Sequence, residues 1–227
     1  MGVVWAPRWP VVLRDDSLST PGGTLLLRRL RRADRDAWMD LRADNRDWLE
    51  RWEATTPEPT GRDRDGRYRG GWPGRTQETK PPSFTGYVRA LDRAAKDGST
   101  LPFAVELDGE LVGQLTVSSI TYGSLCSASI GYWVGEHVAG RGVTPTAVAM
   151  AADHCFFELG LHRVEVNIRP ENVPSLRVVE KLGLRDEGLR EAYLHIQGRW
   201  CDHRTFAVTA PEVPDGLLAR WRGAPQA

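Results

Sequence analysis

The sequence predicts a mixed α/β domain, its strands partly antiparallel and partly parallel and flanked by helices. Three observations carry that prediction. Leu101 to Leu107 and Glu110 to Ile120 read as strands on either side of Asp108-Gly109, a strong hairpin signal. A further strand, Ser127 to Val134, runs into His137-Val138-Ala139-Gly140-Arg141-Gly142 and then into an apolar-periodic helix from Val143 to Leu159. The whole order is β-α-α-α-β-β-β-α-β-α-β-β, which is not a regular βαβ alternation.

Taken in turn, Thr24 to Arg28 is the first strand and leads into a helix from about Ala33 to Ala43. Asp34 is the expected cap, and Ala37, Trp38 and Leu41 form the apolar side. A short helical piece spans Asn45 to Trp52. Residues 54–82 are rich in Pro, Gly and charge, with Arg62, Arg64, Arg67, Arg69 and Arg75 interleaved with Tyr68 and Trp72. A loop of that length inside a compact domain is either mobile or functional. Ser83 caps the next helix, whose stripe is Phe84, Val88, Leu91 and Ala95, and Gly98 ends it.

After the hairpin and the Ser127 to Val134 strand, the long helix turns Val148, Ala151, Cys155 and Leu159 to one side, and Gly160 stops it. Val164, Val166 and Ile168 alternate with Glu165 and Asn167, a half-buried strand. Asn172 precedes a short helix from Pro174 to Leu182, ended by Gly183. Strands at about Leu189 to Ile196 and Trp200 to Val208 are joined by Gln197-Gly198. Residues 1–22 read as an N-terminal extension and 211–227 as a loose tail.

At 227 residues, 41% of them hydrophobic, the chain can bury a real core. Formal net charge is zero, so the field of the whole protein gives no reason for avid nucleic-acid or membrane binding. Lysines occur only at 80, 96 and 181, so the basic residues are nearly all arginine. Cys126, Cys155 and Cys201 lie far apart without CxxC spacing, which argues against a disulfide framework or zinc site and suits a reducing cytoplasm. Cys155, on the helix's apolar face, reads as a small core residue. The first ten residues lack the apolar run of a signal peptide, and no run approaches the ~20 apolar residues of a membrane span.

Chemistry concentrates at the glycine loop. Two glycines let the backbone turn tightly and aim N–H groups outward, and the first helical turn adds unpaired donors at a positive dipole end. Together these make an anion site suited to phosphate. A dinucleotide fold would place GxGxxG after the first strand, whereas this loop follows the fourth. A nucleotide P-loop would need Gly-Lys-Ser/Thr, and the site has no lysine.

The piece from Gly131 to Gly183 resembles the GCN5-related N-acetyltransferase (GNAT) superfamily, whose signature is Gln/Arg-x-x-Gly-x-Gly/Ala between a strand and a helix. His137, Gly140 and Gly142 occupy its three positions, with His137 departing from Gln or Arg. The Asn45 to Glu53 segment resembles the substrate-side helix of the RimJ/RimL group of ribosomal-protein N-terminal acetyltransferases. So do Gly160-Leu161-His162-Arg163, Asn172, Ser175, Lys181-Leu182-Gly183-Leu184, Glu187-Gly188 to Tyr193 and Gly198 to His203. The match runs from roughly Trp9 to Pro211 and is nearest the N-terminal-alanine acetyltransferase subgroup.

That resemblance implies a GNAT domain over 23–210, with 54–82 as a variable substrate-side loop and a mostly antiparallel sheet splayed between its fourth and fifth strands. It implies acetyl-CoA as cosubstrate and no metal. The pyrophosphate would sit on amides of Val138, Ala139, Gly140, Arg141, Gly142 and Val143. The pantetheine arm would run beside the fourth strand near Trp133 and Val134 like an added strand, and a strand N–H would stabilise the oxyanion. Asn172 would contact the cofactor, a role compatible with capping its helix.

Many members place a tyrosine seven residues after that asparagine to protonate the CoA thiolate. Here the position is Val179, and RimL-like members use a serine three residues after the asparagine, which is Ser175. A carboxylate is common on the fourth strand, where Ser127 and Ser129 stand instead, so Glu53 and Glu106 are the candidate bases. A peptide α-amine has a pKa of about 7.7–8.0, so a water relay would also serve.

Trp48 and Trp52 are candidate acceptor-binding residues, as is Trp72; Trp38, Trp133 and Trp200 read as core or cleft walls. His154 and His162 read as structural, whereas His195 and His203 are placed to reach the cleft without metal-site spacing. The expected acceptor is a protein N-terminus, that of a ribosomal protein starting with Ala or Ser, and the expected enzyme a cytoplasmic monomer or homodimer. Two alternatives stay open: a small-molecule amine acceptor such as an amino acid or antibiotic, and a non-catalytic acyl-CoA-binding or ribosome-associated module. The arginine-rich loop reads as a solvated segment, with contact to ribosomal RNA the other possibility.

Overall fold

The computed structural model describes residues 9–18, 23–57, 61–62, 68–69 and 83–223. Eight strands form one sheet in the order β1-β2-β5-β6-β7-β8-β10-β9. These are β1 (Leu13–Leu18), β2 (Gly23–Arg29), β5 (Leu101–Leu107), β6 (Glu110–Thr121), β7 (Ser127–Val134), β8 (Arg163–Ile168), β9 (Arg185–Ile196) and β10 (Arg199–Thr209). A separate two-stranded piece pairs β3 (Gly61–Arg62) with β4 (Tyr68–Arg69). Every neighbour in the large sheet is antiparallel except β7 and β8, which are parallel.

Both two-residue hairpins form as their sequences demand. Asp108 and Gly109 take φ of 52° and 87°, and Gln197 and Gly198 take 46° and 81°. Positive φ at both central residues gives the turn the hand that matches the strand twist. The Asp108 side chain also accepts the Thr24 N–H at 2.7 Å, tying the turn to β2.

Alternation along the central strands sorts side chains onto two faces. Leu25, Leu27, Phe103 and Val105 join the main core with α4 (Val143–Asp153), where every residue from Val143 to Ala152 is buried. On the opposite face Ala104 and Leu30 pack with Val88 of α3 (Phe84–Lys96) and with Trp38 of α1 (Arg35–Asp44). Ser83 caps α3 as expected, its hydroxyl accepting the Gly86 N–H.

The structure departs from the sequence reading at four places. Asp34 stands at the start of α1, but its carboxylate takes the Arg31 N–H and the Arg28 guanidinium rather than capping the helix. The long helix is regular only to Asp153 and then widens into a π-turn over His154–Glu158, which still buries Cys155 and Phe156. Part of the N-terminal extension is β1, hydrogen-bonded to β2. The supposed loose tail contains α6 (Leu217–Gly223), whose Leu217 and Trp221 are buried against α4, with the Trp221 indole donating to Thr146 at 2.9 Å. Asp153 carboxylate oxygens cap α6 at the Leu217 and Leu218 N–H groups, and Arg222 pairs with Asp15 of β1. Tertiary partners, not local pattern, create these elements. No helix among the described residues is long and apolar enough to cross a membrane. Trp72, Arg64, Arg67 and Arg75 lie outside the described residues, as do 1–8 and 224–227.

Candidate active site

The parallel pair opens almost as soon as it forms. β7 meets β8 at Ser127 with Arg163, Ala128 with Val164 and Ser129 with Glu165, and the strands then diverge towards Val134 and Ile168. The splay expected between the fourth and fifth strands of the reading is this gap. A cavity of about 970 Å³ occupies it.

One wall is the glycine loop. A 3-10 turn at Glu136–Val138 follows β7, Ala139 is extended, and Gly140 and Gly142 both have φ of 80°. That left-handed backbone disfavours any residue with a Cβ. Turns inside the loop use the N–H groups of Val138, Ala139 and Arg141, bonded to Gly135, Glu136 and Val138 carbonyls. Among the described residues the N–H groups of Gly140, Gly142, Val143 and Thr144 have no protein partner, so they are the donors left for an anion at the start of α4. His137 packs its ring over Gly135, where a Cβ would lie 2.6 Å from it.

The facing wall is α5 (Val173–Lys181). Asn172 caps it by accepting the Ser175 N–H at 3.2 Å and also lines the cavity. Ser175, Arg177 and Lys181 line it as well. Val179 is fully buried in the main core, so the position seven residues after Asn172 faces away from chemistry. Tyr132 of β7 reaches across the gap and donates its hydroxyl to the Ser175 carbonyl at 3.5 Å. Burial of that phenol pushes its pKa upward, so it stays protonated.

The third wall is the segment from α1 through α2 (Arg46–Leu49) to Ala54. Trp48 lines the cavity and donates its indole N–H to the Val134 carbonyl at 3.1 Å. Trp52 lines it too, with the Arg169 guanidinium 5.5 Å from its ring centre. Arg42 lies between the Trp38 and Trp133 rings, at 5.4 and 5.3 Å, and pairs with Glu53. Glu53 is therefore at the cavity, held by a cation that two indoles hold in turn.

Glu106 is elsewhere. Its carboxylate meets Arg28 at 2.5 Å in a buried cluster with Asp34, and it does not line the cavity. His195 is bound to Thr55, and His203 is buried against the Cys201 carbonyl. Burial chiefly pushes the His203 pKa down, and neither histidine reaches the cavity as the sequence suggested. Trp200 is exposed rather than core, at 57%. The structure thus gathers Trp48, Trp52, Glu53, Trp133, Val134, Ala139, Gly140, Gly142, Asn172 and Ser175 around one space.

Three supporting residues escaped the sequence reading. Asn45 is buried, accepting the Glu136 N–H at 2.7 Å and donating to the Leu41 carbonyl at 2.8 Å, so it locks the glycine loop to α1. Gly113 lies opposite Val134, where a Cβ would come within 2.3 Å of the Trp133 carbonyl. A glycine inside a strand pattern was the available signal for that close approach. Tyr132 carried no signal beyond its place in the strand. Among the described residues no cluster of three or more His, Cys, Asp or Glu could hold a metal ion.

Residues 24–185 match the acetyltransferase (GNAT) domain family. The chain belongs to the GNAT acetyltransferase family. As a GNAT protein it is 29% identical over 191 residues to the probable N-acetyltransferase YjcK of Bacillus subtilis, across 84% of this chain and 97% of that one. It is also 29% identical to the ribosomal protein uS5-alanine N-acetyltransferase of Escherichia coli, across 81% and 87% of the two chains. Among solved structures, Mycobacterium smegmatis RimJ in complex with CoA-disulfide superposes with a TM-score of 0.77 and 40% identity, covering 93% of each chain. The GNAT fold of those relatives agrees with a mostly antiparallel sheet opened at β7 and β8.

Proposed function

We propose that this N-acetyltransferase moves the acetyl group of acetyl-CoA directly to the N-terminal α-amine of a protein, a ribosomal protein beginning with Ala or Ser. The observation that carries the reading is the single continuous cavity, which joins the free amides of the glycine loop to the Trp48–Glu53 segment past Asn172 and Ser175. The Escherichia coli relative, a ribosomal protein uS5-alanine N-acetyltransferase, supports the acceptor class, and the RimJ neighbour in complex with CoA-disulfide supports the cosubstrate. In this reading the protein works in the cytoplasm.

The residues divide the work by position. Amides of Gly140, Gly142, Val143 and Thr144 hold the pyrophosphate, and Arg177 and Lys181 on one face of α5 add positive charge near it. The Trp133–Val134 backbone and Asn172 guide the pantetheine arm. The amine nitrogen attacks the thioester carbonyl, the tetrahedral intermediate collapses by breaking the C–S bond, and Ser175 relays a proton to the departing thiolate, taking one from solvent as it gives its own. Glu53, or a water it holds, takes the proton lost by the amine. With an α-amine pKa of about 7.7–8.0, much of the acceptor is already neutral at pH 7.5, so a weak base is enough.

The test is acetylation of N-terminal peptides followed by mass spectrometry of the α-amine. Peptides starting with Ala or Ser are expected to gain one acetyl group there, with equimolar CoA released. Release of CoA with a small amine but with no peptide overturns the reading.

A further inference from the structure

A second pocket, of about 340 Å³, lies against the same wall as the main cavity but on its outer side. The two spaces share Trp38, Arg42 and Glu53, so the Arg42–Glu53 ion pair is the partition between them. Beyond the partition the outer pocket is lined by Met39, Ala43, Arg46 and Glu50, on α1, the start of α2 and the turn after it.

We infer that this outer pocket is the subsite for the acceptor chain beyond its first residue, with the Arg42–Glu53 pair at the passage between the two spaces. The inference rests on the peptide-acceptor reading above and deepens it. The wall shared with the main cavity decides the occupant. A chain whose amine lies at the thioester and whose first carbonyl passes Arg42 has the outer pocket as the next space along this wall.

The chemistry of the pocket fits that occupant. Met39, 48% exposed, together with Trp38 and Ala43 gives an apolar surface. Thioethers adapt to varied side chains, which suits positions of relaxed sequence preference. Arginines 42 and 46 balance glutamates 50 and 53, so the rim carries no net charge. A nucleotide or phosphate would find no net positive field there, whereas the alternating dipoles of a peptide backbone find both donors and acceptors. The guanidinium of Arg42 has five N–H donors, and among the described residues its carboxylate partner is Glu53 alone, which leaves donors for an acceptor carbonyl.

The volume is at the small end of ordinary ligand sites, about 300–1,000 Å³. It therefore suits a short stretch of extended chain rather than a folded domain. Selectivity beyond the first residue would be read here, and only by acceptors long enough to reach it.

The test compares peptide amides of one sequence beginning with Ala, one, two, four and six residues long, by kcat/KM at saturating acetyl-CoA. In the wild type, the four-residue acceptor is expected to exceed alaninamide by tenfold or more, with little gain at six. Ala43→Trp fills the pocket from an exposed helix position and is expected to bring that ratio near one. As a second probe, Glu50→Lys makes the rim basic and is expected to raise the preference for acidic over basic second and third residues by fivefold or more. Turnover independent of length in the wild type, or a ratio unmoved by Ala43→Trp, overturns the subsite alone. Absence of turnover on peptides of every length overturns the peptide-acceptor reading and the subsite with it.

Discussion

The indole N–H of Trp48 donates to the Val134 carbonyl at 3.1 Å, joining two residues 86 apart in sequence. A strand-end oxygen beside the gap is thus held by the acceptor-side segment. The two sides of the site are set relative to each other by this bond and by Asn45, which takes the Glu136 N–H three residues before Ala139.

Trp48→Phe keeps an aromatic wall and removes the donor. A net hydrogen bond contributes about 0.5–1.5 kcal/mol, and leaving a partly buried carbonyl unpaired sets the upper end. The expected result is a urea-unfolding loss in that range, together with a severalfold rise in KM for acetyl-CoA.

Asn45→Ala removes both an acceptor and a donor from a buried position. The Glu136 N–H then loses its partner, so a loss of about 1–3 kcal/mol is expected in chemical denaturation. Because the glycine loop is released at the same time, acetyl-CoA affinity measured by calorimetry should fall as well.

Ser175→Ala separates proton delivery from binding. A positioned acid contributes about 10²–10⁴-fold to rate, so kcat should drop by at least a hundredfold while KM for acetyl-CoA stays within a few fold. Tyr132→Phe loses the hydroxyl that holds the Ser175 carbonyl, and a smaller fall in kcat is its expected outcome.

Gly113→Ala places a methyl group 2.3 Å from the Trp133 carbonyl, a backbone atom that cannot rotate away. β6 and β7 must separate there. Thermal unfolding should show one of the larger single-residue losses in the protein, because overpacking costs about 1–3 kcal/mol or more.

Acid stability should depend on Glu187. Hydrogen bonds from Arg163, then Arg185, hold its carboxyl at about 2, against 4.5 when unpaired. Between those values the unfolded chain binds the proton and the folded one does not, so stability falls as pH falls. The contribution is complete above 4.5 and is lost towards 2. Glu187→Gln is therefore expected to flatten the fall of the urea midpoint across that window; an unchanged slope would remove Glu187 from the account.

Local chemistry made much of this protein legible before its structure. Asp108-Gly109 and Gln197-Gly198 specify turns through positive φ, Ser83 and Asn172 cap their helices, and Gly140 and Gly142 mark a loop where a Cβ is costly. The core of β8 could be read from the alternation of Val164, Val166 and Ile168. What stayed hidden depends on contacts made across the fold. β1 exists because β2 offers an edge, and α6 because α4 offers Thr146 and Asp153. Glu53 and Glu106 look alike in sequence, yet Arg28 and Asp34 hold one in a buried cluster while Arg42 holds the other at the cavity.

Three residue pairs join β7 to β8, against the long ladders on either side of them. The sheet is in effect a book of two leaves, five strands in one and three in the other, with its spine at residues 127–129 and 163–165. Leverage follows from that layout. A slight change of angle at the spine becomes a larger change of width at the far margin, where Val134 and Ser175 stand. Substitutions at Ala128 or Val164, buried and remote from any reacting atom, are thus positioned to tune how widely the pages open.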